Sequence, residues 1–243
     1  MDEQENLAVV IPVYNEEAVI ETVLRKWIEA LDALKINYRI HVYNDGSKDS
    51  TSERLAACEK LFGGRLAVHE KKNSGHGPTI LKGYRENGSA YCWIFQTDSD
   101  DEMSPAHFHE LWERRGEYDF VTGRRDQRKQ NLSRAAVSFL SRWTVRLFYG
   151  RKTVWDVNSP YRLMRSEALA PLFGAIPPDT FAPNVVVSGY VALKGLRFVE
   201  IPVPQTNRKT GCVSIRKWKL FKASVKSFTQ TIRIAFRIRR PVK

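Results

Sequence analysis

The sequence predicts an α/β fold, a mostly parallel sheet with helices on both faces, and three observations carry that prediction. The run Leu7 to Val13 is continuously apolar over the length of a strand, the pattern of a strand buried on both faces. Strand-like and helix-like segments alternate from residue 7 to residue 122, as they do where helical crossovers join parallel strands. Three of the strands run straight into polar or acidic loops, which places those loops on one sheet edge, where open α/β sheets bind ligands. At 243 residues and 42% hydrophobic, the chain buries a substantial core in one domain with a modest appendage.

The elements follow in order. After the first strand, Asn15-Glu16-Glu17 supplies a capping residue and first-turn acids. Ala18, Ile20, Val23, Leu24, Trp27, Ile28 and Leu31 then recur at helical spacing. Tyr38 to Tyr43 reads as the second strand, Asp49-Ser50-Thr51 caps a helix to about Phe62, and Leu66 to His69 is a short third strand. A helix from about Gly77 to Asn87 leads to Tyr91 to Phe95, the next buried strand. Pro105 opens a helix to about Arg114, and Asp119 to Thr122 is another strand. Residues 124 to 131 are polar and basic and predict a mobile loop. From 132 to 149, Leu132, Ala136, Phe139, Leu140, Trp143, Leu147 and Phe148 share one helical face. Val185 to Leu193 reads as a helix and Arg197 to Val203 as a strand, before a polar loop from Pro204 to Ser214.

Charge is unevenly placed. The net charge is +12, yet residues 216 to 243 hold ten Lys or Arg and no acid, and residues 124 to 152 hold nine basic residues against one acid. Removing these +10 and +8 leaves the rest of the chain at −6. Such asymmetry points to anionic partners, whether phosphates, lipid headgroups or nucleic acid. In the C-terminal segment Trp218, Phe221, Val225, Phe228, Ile232 and Phe236 form an apolar stripe, with Lys217, Lys219, Lys222, Lys226, Arg233 and Arg237 largely elsewhere. That pattern describes an interfacial helix resting on an anionic membrane surface; the competing reading is a helix packed on the domain with its basic side in water.

Three cysteines, Cys58, Cys92 and Cys212, are too few and too scattered for a disulfide framework or a metal knuckle. The N-terminus MDEQENLAVV lacks the basic start of a signal peptide, and no apolar run approaches the roughly 18 to 20 residues that span a bilayer. The expectation is a cytoplasmic protein, peripheral on the cytoplasmic face of the membrane.

Asp98-Ser99-Asp100-Asp101 follows the Tyr91 to Phe95 strand directly. Asp-x-Asp after a buried strand suits a hard divalent cation, because Mg²⁺ is commonly held by one or two carboxylates together with substrate phosphates. A solvated acidic turn before Ser104-Pro105 is the plainer alternative. Nucleic-acid binding, suggested by a pI near 9.7, explains neither the acidic cluster nor the ordered loops, so no nucleic-acid partner is expected.

Taken together, VVIPVYNEE, YNDGSKDST, NSGHGPTILKGYRENG and WIFQTDSDDEMSP, in this order and spacing, resemble glycosyltransferase family 2, especially its polyprenyl-phosphate and dolichyl-phosphate sugar synthase branch. The likeness covers about residues 7 to 215 and extends to VTGRR at 121 to 125, DVNSPYRLMRSEAL at 156 to 169 and NRKTGCVSI at 207 to 215. It implies a glycosyltransferase A-type catalytic domain over residues 1–215, with a basic amphipathic tail over 216–243. Such a domain binds a UDP- or GDP-linked sugar with Mg²⁺ or Mn²⁺ and transfers the sugar with inversion.

By the same resemblance, Pro12, Tyr14, Asn15 and Glu16 match the motif that cups base and ribose, and Asp45 matches the acid that contacts the base. The residue before it is Asn44 where relatives usually have Asp. Asp98 matches the acid near ribose or metal and Asp100 the metal ligand, while Asp101 reads as a bystander. Arg124 and Arg125 stand before the acceptor loop, Arg208 matches the arginine of R-x-x-G-x-S, and Arg162 matches a segment lining the sugar or acceptor site. An acceptor hydroxyl needs a general base, whereas a phosphate is already ionised. The stretch where hydroxyl-modifying relatives carry the base reads Phe181-Ala-Pro-Asn184. It holds no carboxylate, and only Asp179 lies close, with Asp156 as a second candidate. A lipid-phosphate acceptor is therefore favoured over a sugar hydroxyl.

Overall fold

The computed structural model describes residues 5–125, 132–205 and 217–239. Its strands are β1 (Asn6–Val13), β2 (Asn37–Asn44), β3 (Leu66–Glu70), β4 (Trp93–Gln96), β5 (Phe120–Arg125), β6 (Arg162–Arg165) and β7 (Phe198–Val203). Its α-helices are α1 (Ile20–Ala33), α2 (Thr51–Phe62), α3 (His76–Asn87), α4 (Phe108–Glu113), α5 (Leu132–Phe148), α6 (Ser166–Ala175), α7 (Pro183–Lys194) and α8 (Lys217–Arg239). The strands form one sheet in the order β3-β2-β1-β4-β6-β5-β7. Among the described strands only β6 runs against its neighbours, antiparallel to both β4 and β5. The expected mostly parallel α/β sheet is what the chain builds.

Why β1 reads as an unbroken apolar run is visible in its packing. Leu7, Val9, Ile11 and Val13 enter the core on one side with Trp27, Phe95, Phe108 and Tyr161, while Ala8 and Val10 enter the core on the other with Tyr84, Phe173 and Val186. Alternate side chains of a strand point to opposite faces, so a strand covered on both sides has no polar position. Gly77 marks a tight approach on the second side: a Cβ there would stand 2.1 Å from the carbonyl oxygen of Phe181, so α3 meets the 180–181 segment backbone to backbone.

Several local expectations need correction. Asn15 does not cap α1, which starts at Ile20 without a side-chain cap. Its backbone is left-handed, with φ of 55°, a conformation Asn tolerates better than most residues. Its side chain instead accepts from the Lys48 N–H at 2.8 Å, tying the loop after β1 to the loop after β2. The fourth strand begins at Trp93 rather than Tyr91; the Tyr91 hydroxyl is hydrogen-bonded to His41. Two elements, β6 and α6, are additions to the predicted order.

The 126–131 stretch, where a mobile loop was expected, and the polar loop from 206 onward lie outside the described residues. The same holds for the side chains of Trp218 and Phe221. Further along α8, Ile234 and Ala235 are buried in the second core, and the Tyr149 hydroxyl donates to the Thr231 carbonyl at 2.7 Å. That end of the helix packs on the domain. Among the described residues no helix is long and apolar enough to cross a membrane.

Candidate active site

Strand order turns around β1, with β2 and β3 to one side and β4 to the other, and such a turn leaves a crevice at the carboxyl ends of the strands. A cavity of about 480 Å³ opens there. Pro12, Tyr14 and Glu16 line it from the end of β1, Asp45 from β2, and Asp98 and Asp100 from β4, with Gly75, His76 and Thr79 from the start of α3. Residues predicted from three separate loops are thus brought to one concave surface. Asn15, Arg125 and Arg162 are not on its wall, and Arg208, with the rest of 207–215, lies outside the described residues.

Asp45 is buried, and its carboxylate is well supplied with hydrogen-bond donors. Oδ1 accepts from the Ser74 N–H and Oδ2 from the Gly75 N–H, both at 2.8 Å, and the Lys71 ammonium completes the set. Charge-assisted bonds of this kind hold a loop firmly. Asp45 therefore shapes the 71–75 segment that forms one wall of the cavity. The departure at Asn44 has a local cause. Its Nδ2 donates to the Glu70 carboxylate at 3.0 and 2.9 Å and to Ser52 Oγ at 2.8 Å. An aspartate at this fully buried position would set its carboxylate against that of Glu70.

Asp98 is held differently. Gln96 Nε2 donates to Asp98 Oδ1 at 3.0 Å, and Gln96 Oε1 accepts from Asn184 Nδ2 at 2.9 Å. The Asn184 Oδ1 accepts from the Tyr84 hydroxyl at 2.7 Å, and its carbonyl accepts from Arg162 Nη1 at 2.9 Å. A buried polar chain thus runs from Arg162 to the carboxylate facing the cavity. Arg162 is fully buried and also donates to the Ser159 carbonyl through Nε at 2.8 Å. Burial pushes its pKa down to about 10, so it stays charged at neutral pH. It supports Asp98 from behind, through Asn184 and Gln96, and does not reach the wall of this cavity. Gln96, Asn184, Tyr84 and Lys71 were missed by sequence reasoning; an amide ending the apolar strand WIFQ was the available signal, since buried polar side chains need partners.

Near the same edge, Arg125 donates through Nε and Nη2 to the two oxygens of Asp156 at 2.8 and 3.0 Å. Burial works against the Arg125 charge, but the bonds and charge of Asp156, reinforced by Asp98 and Glu102, outweigh it and raise its pKa. Asp156 is buried in this pair, and Asp179 is tied to Gln230 at 3.2 Å. His76 Nε2 lies 3.6 Å from Asp98 Oδ1, and Lys26 pairs with Asp101, away from the cavity lining.

Among the described residues no three His, Cys, Asp or Glu side chains form a cage for an ion. Two carboxylates, Asp98 and Asp100, on a wall open to a ligand suit the other arrangement, in which substrate phosphates complete the oxygen shell of Mg²⁺ or Mn²⁺.

Comparison with known proteins places this architecture. Residues 8–173 match the model of glycosyl transferase family 2, and the chain belongs to that family. Among curated relatives it is similar to the undecaprenyl-phosphate 4-deoxy-4-formamido-L-arabinose transferase of Edwardsiella ictaluri, 28% identical over 84% of this chain and 61% of that protein. The enzyme of the same name from Pseudomonas paraeruginosa is 30% identical over 76% of this chain and 54% of its own length. The chain thus spans little more than half the length of these relatives. Among solved structures, the glucosyl-3-phosphoglycerate synthase of Mycobacterium tuberculosis, determined with Mn²⁺, UDP-glucose and phosphoglyceric acid, superposes with a TM-score of 0.66 at 16% identity, over 96% of this chain and 80% of that one. At that identity the likeness establishes the shared glycosyltransferase A-type fold.

Proposed function

We propose that the chain is an inverting, divalent-metal-dependent glycosyltransferase that moves a sugar from a nucleoside diphosphate sugar to a polyprenyl phosphate at a membrane surface. The observation that carries this reading is the convergence of Asp45, Asp98 and Asp100, from two strand ends, on one cavity with Pro12, Tyr14 and Glu16. The names of the two relatives support the acceptor class, and the solved Mn²⁺ and UDP-glucose complex of a shared fold supports the sugar-nucleotide class. Residues 1–215 are the catalytic domain in this reading. The basic tail of 216–243 attaches it to anionic lipid on the cytoplasmic face, through the parts of α8 that do not pack inward.

In the reaction, Asp98 and Asp100 would hold the metal, which neutralises the charge that builds as the nucleoside diphosphate departs. Asp98 is kept in place by Gln96, and through it by Asn184 and Arg162. Arg125, fixed by Asp156, adds positive potential beside Asp98 and Glu102. Arg208 is assigned a similar role on sequence grounds. The acceptor phosphate attacks without a base. Engagement of Asp156 with Arg125 and of Asp179 with Gln230 favours this over a hydroxyl acceptor, since both candidate bases already have partners.

The test is incubation with a panel of UDP- and GDP-sugars, Mg²⁺ or Mn²⁺ and polyprenyl phosphate, followed by extraction of lipid. A glycosylated lipid that requires the metal and is lost in Asp100→Ala is the expected result. Label found only in soluble glycans overturns the acceptor assignment, and full activity without divalent metal overturns the role of Asp98 and Asp100.

A further inference from the structure

We propose that Arg142 and Arg146 of α5, with Trp155 and the neighbouring Thr153, form a phosphate-binding site apart from the sugar-nucleotide cavity. Four buried side-chain polar atoms lack a hydrogen-bond partner among the described residues, and three of them are Arg142 Nε, Arg146 Nε and Thr153 Oγ1. Buried N–H and O–H groups are nearly always satisfied, so three orphans within twelve positions of sequence point to a missing partner. Two cations among the orphans specify that partner as an anion.

The geometry around the pair says more. Arg142 is only 8% exposed, and its guanidinium carbon stands 3.5 Å over the ring of Trp155, itself 48% exposed. Stacking fixes the plane of a guanidinium and leaves its edge available for the fork-like bonds that suit phosphate oxygens. Arg146 follows one helical turn later, where i and i+4 side chains share a face. Burial and the like charge of Arg146 both push the Arg142 pKa down, against the pull of Asp156 and Glu200. Those two carboxylates are already engaged. Asp156 is held by both arms of Arg125, and Glu200 accepts from the N–H groups of Trp155 and Asp156 at 2.6 and 2.9 Å. Neutral N–H donors leave the Glu200 charge in place, so Arg125, Arg142 and Arg146 face Asp156 and Glu200 with one positive charge in excess, which a phosphate would relieve.

Asp156, which holds Arg125, also acts electrostatically on Arg142, so a phosphate bound by the arginine pair adds its charge to the surroundings of that ion pair. The phosphate of a lipid acceptor and the headgroup of an anionic membrane lipid offer the same chemistry, and free phosphate is a third source. The inference rests on the arginine pair and holds whether or not sugar transfer to polyprenyl phosphate is the reaction.

The test is titration of the full chain with inorganic phosphate, with farnesyl phosphate, and with phosphatidylcholine vesicles with and without phosphatidylglycerol. Tryptophan fluorescence reports binding, and Trp155→Phe identifies the ring that responds. Saturable binding of at least one probe, weakened about tenfold in Arg146→Gln and in Arg142→Gln, with UDP and GDP binding unchanged, is the expected result. A response to farnesyl phosphate identifies an acceptor-like phosphate, one to phosphatidylglycerol vesicles alone a headgroup, and one to inorganic phosphate alone a free anion. Should Arg142→Gln fail to fold, Arg146→Gln and Thr153→Val carry the comparison. Absence of binding by every probe, or variants that bind as tightly as the parent, overturns the site. Phosphate binding with no sugar transfer from any nucleotide would instead count against the proposed function and leave this site standing.

Discussion

The ends of β2 and β4 each present an aspartate to the same cavity, and the two are built in opposite ways. Asp45 is enclosed by two backbone N–H groups and the Lys71 ammonium. Asp98, whose side chain is 29% exposed, receives one amide from Gln96 and faces the opening. A carboxylate saturated by its own chain sets the shape of a wall, whereas one oriented from behind keeps its charge for a ligand. Two acids that look alike as strand-end residues thus differ in what their removal should do.

The largest effect is expected at the β2 end, on stability. Asp45→Ala takes the carboxylate from two N–H groups and from the Lys71 ammonium, which keeps Ser74 Oγ, Thr79 Oγ1 and the Lys72 carbonyl, and should cost about 3–4 kcal/mol, read as a lower denaturation midpoint in urea. Adding Lys71→Met should recover part of the loss; no recovery would mean the ion pair is not its source. At the β4 end the effect should fall on activity. Asp98→Asn is expected to lower sugar transfer about 10²-fold or more, roughly 2.7 kcal/mol in the barrier, while the urea midpoint stays near that of the parent. If instead it unfolds the protein and Asp45→Ala does not, the contrast between the two ends is wrong.

A third prediction concerns pH. His41, also on β2, has its pKa pushed down to about 4 by burial, by its neighbour His69 and by Arg39, against the pull of Glu86. Between pH 6.5 and 4 the unfolded chain takes up a proton that the folded chain refuses, so stability falls as pH falls through this window. The full difference is about 3 kcal/mol. Urea midpoints measured from pH 7 to pH 5 should show a shallower slope in His41→Gln; an equal slope would place the proton elsewhere. The smallest effect is expected at Asn44, where Asn44→Asp should cost about 1–3 kcal/mol by opposing Glu70. Glu70→Gln in the same chain should restore most of it.

What could be read from the sequence divides along the same line. β1 and α1 were legible because their burial imposes local patterns, an unbroken apolar run and a helical repeat. Asp45, Asp98 and Asp100 were legible because each follows a strand. β6 was not, since its four residues, Arg-Leu-Met-Arg, carry arginine at both ends and owe their conformation to pairing with β4 and β5. α6 contains Pro171 and no sharply apolar face. Gln96 and Asn184 lie 88 positions apart, and no local spacing announces that they meet. The same holds for Arg162, whose partners are the backbone carbonyls of Ser159 and Asn184. Residues that face the cavity left a signature in their loops; those that hold them there acquired their roles only through folding.

The reversed strand β6 has a consequence for how such a chain can change. Because it runs against β5, the chain leaves the sheet after Arg125 and re-enters it at Arg162 on the same edge, the edge that carries the cavity. Arg125 and Asp156 fasten the two ends of this excursion together. What lies between is anchored in the second core by Val145, Tyr149, Val154 and Val157, so changes that keep those four positions leave strand order undisturbed. An engineer would vary the outward positions of this insert and keep the strand-end acids untouched.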